Sequence, residues 1–235
     1  MLCLPPTSSC SRLQYDIACA TQAHRSNIPR GARGSVSRGR RTSAFGGRRV
    51  RPTEPLRSAR LELRRLDGGD AAFVQFLYAD ARVTRTLLRI QGPISIEEAR
   101  EFCQTGPGGD CRFGAVLRTG GDPIALGGAR RHTESPGIAT IGYSVLPAFW
   151  GRGFGTELAA LLVEFAIDAL GALEVRATTL RDNPASARIL EKLGFAVLEI
   201  DAREVDSRGA ERRVTRWFLH GRSRLSGGDR PARPT

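Results

Sequence analysis

The chain has 235 residues, 40% of them hydrophobic and 26% charged, with a formal net charge of +12. That length and balance describe a globular protein of one domain of ordinary to large size, or of one domain with tails, large enough to bury a core. No run of about 18 apolar residues occurs, which excludes a membrane-spanning helix, while the net charge calls for nucleic acid, anionic lipid or a phosphorylated ligand.

The charge is not spread evenly. Residues 1–57 hold 11 Arg against Asp16 and Glu54, and residues 222–235 hold 4 Arg against Asp229. The segment between them, 58–221, is neutral, with 21 basic and 21 acidic residues. Both flanks are rich in Arg, Gly, Pro and Ser without an apolar period, so they read as disordered extensions of a 58–221 domain. Three readings fit the first flank: an Arg-rich targeting segment, a non-specific and weak nucleic-acid contact, or an extension without function, including upstream sequence from a mis-assigned start. The last is favoured. Residues 1–20 lack the continuous apolar stretch of a secretory signal. Five cysteines without a CxxC pair or a His cluster give no zinc site, so no metal is expected. Their irregular spacing suits a reducing, cytoplasmic compartment.

Ala59-Arg-Leu-Glu-Leu-Arg-Arg-Leu alternates and predicts a strand with Leu61 and Leu63 on one face. A helix is expected from Asp67, with Phe73, Phe76 and Leu77 at helical spacing, and 80–90 is ambiguous. Ser95 followed by Glu98 is a capping-box signature for a second helix, ended by the Thr105-Gly-Pro-Gly-Gly cluster. Three strands follow: Cys111–Leu117, Pro123–Arg131 and Ile138–Leu146. Their short connections predict antiparallel neighbours, and Gly127 with Gly128 marks a bend or a close approach. A helix is expected over Gly153–Leu170, a strand over Leu173–Leu180, a short helix over Ala185–Leu193, and two final strands around the turn Asp206-Ser-Arg-Gly. This order predicts an α+β domain: a mixed, mostly antiparallel sheet of about seven strands with about four helices packed on it.

Two segments carry chemistry. In Val145-Leu-Pro-Ala-Phe-Trp-Gly-Arg-Gly-Phe-Gly-Thr-Glu, a strand runs through three glycines into a helix. Glycine lets the backbone turn sharply, and the free N–H groups of a first helical turn favour an anion. Arg152 can add charge and Thr156 a hydroxyl. The segment is not a P-loop, since no Gly-Lys-Ser/Thr follows, and the Gly151-x-Gly-x-Gly spacing does not fit a dinucleotide fingerprint. In Asn183-Pro-Ala-Ser-Ala-Arg-Ile-Leu-Glu-Lys-Leu-Gly-Phe, Asn183 or Asp182 can cap a helix with Pro184 at its first position.

Together these segments resemble the GNAT superfamily of N-acetyltransferases, and within it the ribosomal-protein amino-terminal acetyltransferases. The resemblance rests on Ile141-Gly-Tyr, Pro147 and Trp150-Gly-Arg-Gly-Phe-Gly-Thr-Glu, and on Asn183, Ser186, Arg188 and Glu191-Lys-Leu-Gly-Phe. It implies that acetyl-CoA is the cosubstrate and a primary amine the acceptor, either a protein N-terminus or a small molecule. It implies that backbone N–H groups from Gly151, Arg152, Gly153, Phe154, Gly155 and Thr156 hold the pyrophosphate. Val145 and Leu146 would meet the pantetheine and thioester with their backbone, and Asn183 would contact the pantetheine arm. A family tyrosine that protonates the departing thiolate is matched here by Leu190, and the resemblance to this branch implies that Ser186 gives the proton instead. Glu134, Glu204 or a water-relayed group would be the base, and 81–92 with the last two strands would form the acceptor groove.

Overall fold

The computed structural model describes residues 55–104 and 110–221. The expectations for the flanks therefore lie outside the described residues, apart from 55–57, as does the Thr105–Gly109 cluster. Among the described residues, eight strands form one sheet in the order β1-β2-β3-β4-β5-β6-β8-β7. They are β1 (Leu56–Arg57), β2 (Leu61–Arg65), β3 (Cys111–Leu117), β4 (Pro123–Arg131), β5 (Ile138–Val145), β6 (Glu174–Leu180), β7 (Ala196–Val205) and β8 (Glu211–His220). Five helices accompany them: α1 (Ala71–Ala79), α2 (Ala81–Thr84), α3 (Ile96–Cys103), α4 (Phe154–Asp168) and α5 (Pro184–Lys192).

The α+β arrangement agrees with the expectation, with one strand and one helix more. The added strand, β1, is two residues that pair with β2 at the sheet edge, Leu56 opposite Leu63. It brings residues assigned to the flank into the folded unit. The added helix, α2, is the single turn hidden in the ambiguous 80–90 stretch. Asp80 starts it, accepting a hydrogen bond from the Arg82 N–H at 2.8 Å. A one-turn helix has too few residues to show an apolar period, which is why the stretch read as ambiguous.

Local chemistry accounts for the element ends. Ser95 Oγ accepts from the Glu98 N–H at 3.1 Å, and the Ser95 N–H donates to Glu98 Oε2 at 2.7 Å, so the capping box at α3 is closed. Asn183 Oδ1 accepts from the Ser186 N–H at 3.1 Å and caps α5, with Pro184 next in line.

Two cores clamp the sheet. Leu158, Leu162 and Phe165 of α4 and Leu190 of α5 pack on Phe113, Ile141, Val175 and Trp217 on one face. Val74, Leu77 and Tyr78 of α1 with Ala99 and Phe102 of α3 pack on Leu126 on the other. Gly127 is a close approach, not a bend: a Cβ there would lie 2.9 Å from Leu162 Cδ1 and 3.0 Å from Leu158 Cδ1.

β3, β4 and β5 are antiparallel neighbours, as their short connections require. The crossover through α4 makes β6 parallel to β5, and that pairing holds for three residue pairs only, Ile138–Glu174 to Thr140–Arg176. Beyond Thr140 the ladder between β5 and β6 stops while both strands continue, β6 remaining paired with β8 up to Leu180–Val214. The sheet is therefore split at its centre.

Candidate functional site

The split opens a cleft of about 980 Å³, within the size range of small-molecule sites. One wall is β5. The Leu146 N–H donates to Ile124 O at 3.0 Å and the His132 N–H to Ile138 O at 2.9 Å. With no bulge between β4 and β5, the even-numbered residues of β5 thus bond β4. Ile141, Tyr143 and Val145 turn their backbone groups toward β6, where the ladder has ended. The Val145 carbonyl is taken by the Trp150 indole N–H at 2.6 Å. The Val145 N–H is left facing the split.

The mouth is the turn into α4. Gly151 and Gly153 have φ of +72° and +83°, a conformation that costs other residues about 1–2 kcal/mol. The helix start has no side-chain cap, so its first N–H groups are available to an anion. Glu157, the acid of that first turn, is held elsewhere. Its Oε1 accepts from the Arg60 N–H at 2.7 Å and from Ser58 Oγ at 2.5 Å, and its Oε2 pairs with the Arg60 guanidinium at 2.7 Å. Gly155 seats α4 on α5, since a Cβ there would lie 2.9 Å from Ile189 Cδ1.

The far wall is α5. Asn183 spends its amide oxygen on the cap, which leaves its NH₂ as the group for a ligand. Ser186, in the first turn, has its hydroxyl 3.0 Å from the Tyr143 hydroxyl of β5. Burial pushes the Tyr143 phenol up to about 12, against the pull of its bond to Ser186. It is therefore a protonated donor at any working pH. Leu190, at the position that the resemblance matched to a family tyrosine, is fully buried in the core.

Of the expected site residues, Val145, Gly151, Gly153, Gly155, Thr156, Asn183 and Ser186 line this cleft. Three lie outside its lining. Leu146 gives its N–H to Ile124, and its side chain packs with the α1–α3 core. The Phe154 ring is buried under the Arg60 guanidinium, 4.2 Å away. The Arg152 guanidinium stacks over Phe149 and Phe154, and its carbonyl accepts from Arg60 at 3.1 Å. Phe154 can thus offer backbone alone, while the Arg152 side chain is exposed beside the turn. Glu134 is exposed in the β4–β5 connection, at the opposite end of β5 from Val145. Glu204 lines the cleft, but Arg89 and Arg216 hold its two oxygens at 3.3 and 3.2 Å, which makes it an ion-pair partner rather than a ready base.

Sequence reasoning missed Tyr143 and the second role of Trp150, although both stand in the motif that carried the resemblance. Their partners, Ser186 and the Val145 carbonyl, are fixed by register and turn geometry. Among the described residues no group of His, Cys, Asp and Glu is placed to hold a metal ion. No helix there is long and apolar enough to cross a membrane.

The family model "Acetyltransferase (GNAT) domain" matches residues 60–196. The uncharacterized N-acetyltransferase YoaA of Bacillus subtilis (strain 168) is 30% identical over 145 residues, 60% of this chain and 81% of that protein. The uncharacterized N-acetyltransferase p20 of Bacillus licheniformis is 26% identical over 147 residues, 60% of this chain and 82% of its own length. Among solved structures, a GNAT-family acetyltransferase from Bacillus anthracis superposes with a TM-score of 0.63 at 17% identity, covering 71% of this chain and 98% of its own. The spermidine N-acetyltransferase of Vibrio cholerae, solved with CoA and spermine, superposes at 0.64 and 19% identity, covering 72% and 100%. These two share the fold.

Proposed function

The chain belongs to the acetyltransferase (GNAT) family, and from that premise we propose that its 58–221 segment moves an acetyl group from acetyl-CoA to a primary amine by direct attack. The observation that carries this reading is the split between β5 and β6. It brings an uncapped helix start, an unpaired strand N–H and a hydroxyl pair to one cleft. The residues present fit the cosubstrate, since Gly151 and Gly153 set a turn that leaves the start of α4 without a side-chain cap.

The first N–H groups of α4, from Gly151 to Thr156, would hold the pyrophosphate, and the Asn183 NH₂ would bind the pantetheine arm. Bound acetyl-CoA supplies the activated acetyl group. The Val145 N–H would polarise the thioester carbonyl, where a fixed donor acts on the charge that develops during attack. The indole of Trp150 holds the Val145 carbonyl and so keeps that N–H aimed. Ser186 would give its hydroxyl proton to the departing sulfur. Tyr143 would donate to the Ser186 oxygen as it loses that proton, which makes Tyr143 a positioning residue. The acceptor must arrive neutral. An α-amine, with a pKa near 8, needs less help from a base than a lysine near 10.4.

The motif likeness to ribosomal-protein amino-terminal acetyltransferases supports a protein N-terminus as acceptor, with a small-molecule amine as the other candidate. A cytoplasmic setting suits either. The test is calorimetric titration with acetyl-CoA, followed by thiol release with a panel of amines. Binding together with amine-dependent release supports transfer. Binding without release from any amine would leave a CoA-binding domain, and failure to bind would remove the reading.

A further inference from the structure

We infer that the acceptor carries an anionic group beside its amine, and that the cleft disfavours polyamines. This rests on the acetyl-transfer reading above and names its substrate class.

Side chains of Tyr143 and Val145 pack toward the α4–α5 core. Gly142 and Ser144 of β5 point to the other face, opposite Gly128 and Leu126 of β4. A Cβ at Gly142 would meet nothing within 4 Å, so that face is hollow beneath the chain that follows α2. This hollow is part of the same cleft, whose lining there includes Arg85, Arg89, Glu204 and Arg212.

The charges in this half are unbalanced in their availability. Its lining carboxylates are Glu204 and Asp182. Glu204 is held between Arg89 and Arg216, and Arg216 also pairs with Glu199 at 2.6 Å. Asp182 lies 3.6 Å from Arg212, which also reaches Asp206 at 3.7 Å. Each carboxylate that lines the cleft therefore already faces a guanidinium. Arg85, at the C-cap of α2, is exposed and lines the cleft with no carboxylate within salt-bridge distance among the described residues.

The reacting amine attacks as a neutral group and asks for no counter-charge. A neighbouring group on the same molecule does. A second ammonium, as in a polyamine, would approach Arg85 without a free carboxylate to receive it. A carboxylate would find Arg85 unopposed. The matching chemistry is a primary amine with a carboxylate a few bonds away, which an amino acid and a peptide with an acidic second or third residue both present. In this the cleft differs from what a polycation requires, although the fold is shared with a spermidine N-acetyltransferase.

The experiment uses the full chain with saturating acetyl-CoA and follows thiol release. The acceptors are a peptide with a free N-terminal Ser followed by two Glu, its counterpart with two Lys, free glutamate, and spermidine. The acidic peptide or glutamate should exceed both cationic acceptors in kcat/KM by about tenfold, and whichever of the two leads identifies the source. Arg85→Ala should raise the KM for the acidic acceptor by about fivefold, the scale of one exposed ion pair. Arg85→Glu should bring the cationic peptide level with the acidic one. Preference for spermidine or the lysine peptide, or an order unchanged in both variants, overturns the proposal while transfer stands. No thiol release with any amine removes the transfer reading and this proposal with it.

Discussion

The phenolic oxygen of Tyr143, on β5, lies 3.0 Å from the hydroxyl of Ser186, in the first turn of α5. The two residues are 43 positions apart and come from opposite sides of the split in the sheet. With its proton held to about pH 12 by burial, Tyr143 can donate to Ser186 and leave the serine proton for a leaving group.

Replacement of the two hydroxyls should separate their roles. Ser186→Ala is expected to lower kcat by about 100-fold, the low end of what a positioned acid contributes. Tyr143→Phe should cost about tenfold, and the double variant should be no slower than Ser186→Ala, because Tyr143 acts through the serine. The pH profile of kcat should show no limb from the phenol below about pH 10. Equal losses that multiply in the double variant would mean that the two act independently.

Trp150→Phe keeps the ring and removes the indole N–H that Val145 O accepts at 2.6 Å. The end of β5 then loses the bond that fixes the Val145 N–H toward the split. A neutral hydrogen bond of about 1 kcal/mol corresponds to roughly fivefold in affinity. Because the Val145 N–H acts on charge that develops during attack, kcat should fall by up to that factor in steady-state assays, and the melting temperature should drop by about 2–4 °C for the lost bond.

Gly153→Ala tests the helix start. Its φ of +83° strains any side chain, and the added Cβ would lie 3.3 Å from Arg60 Nη2. The expected cost is about 1 kcal/mol of stability, together with at least a fivefold weaker acetyl-CoA titration. A variant that binds acetyl-CoA as tightly as the parent would show that this turn does not hold the phosphates.

Glu157 links stability to pH. Burial alone would raise its carboxyl, but bonds from Ser58 and from the Arg60 backbone and side chain outweigh burial and hold it below the ordinary range. A carboxyl depressed in the folded state stabilises above its unfolded value of 4.5, and that contribution is lost as pH falls through the lower folded value. Denaturant unfolding between pH 7 and pH 3 should therefore show a declining midpoint. Glu157→Gln should lower the midpoint at pH 7 and flatten the decline, leaving the part due to Asp70, whose carboxyl is likewise lowered by Arg64 and the Asp67 N–H against its burial.

Gly127→Ala places a methyl against Leu158 and Leu162 of α4. Overpacking of this kind costs about 1–3 kcal/mol. The loss should be visible in thermal unfolding and should be eased by Leu162→Val, which makes room at the same contact.

Much of this protein could be read from the chain. The capping box at Ser95, the Asn183-Pro184 helix start, the glycines after Val145 and the alternation at Leu61 and Leu63 are local rules written in neighbouring residues, and the folded elements follow them. The division of charge between Arg-rich flanks and a neutral middle is likewise a property of sequence. What the tertiary structure alone decided is where strands part and which side chains meet. The three-pair register of β5 with β6 is set by the α4 crossover, and no periodicity in either strand reports it. Tyr143 meets Ser186, Trp150 meets the Val145 carbonyl, and Glu204 is enclosed by Arg89 and Arg216 through separations that only packing brings to contact. The physical reason is range: caps and turns are settled by bonds within about four residues, while a cleft is settled by register and crossover. Sequence thus named the anion-binding turn, and the fold decided what that turn faces and which charges remain free beside it.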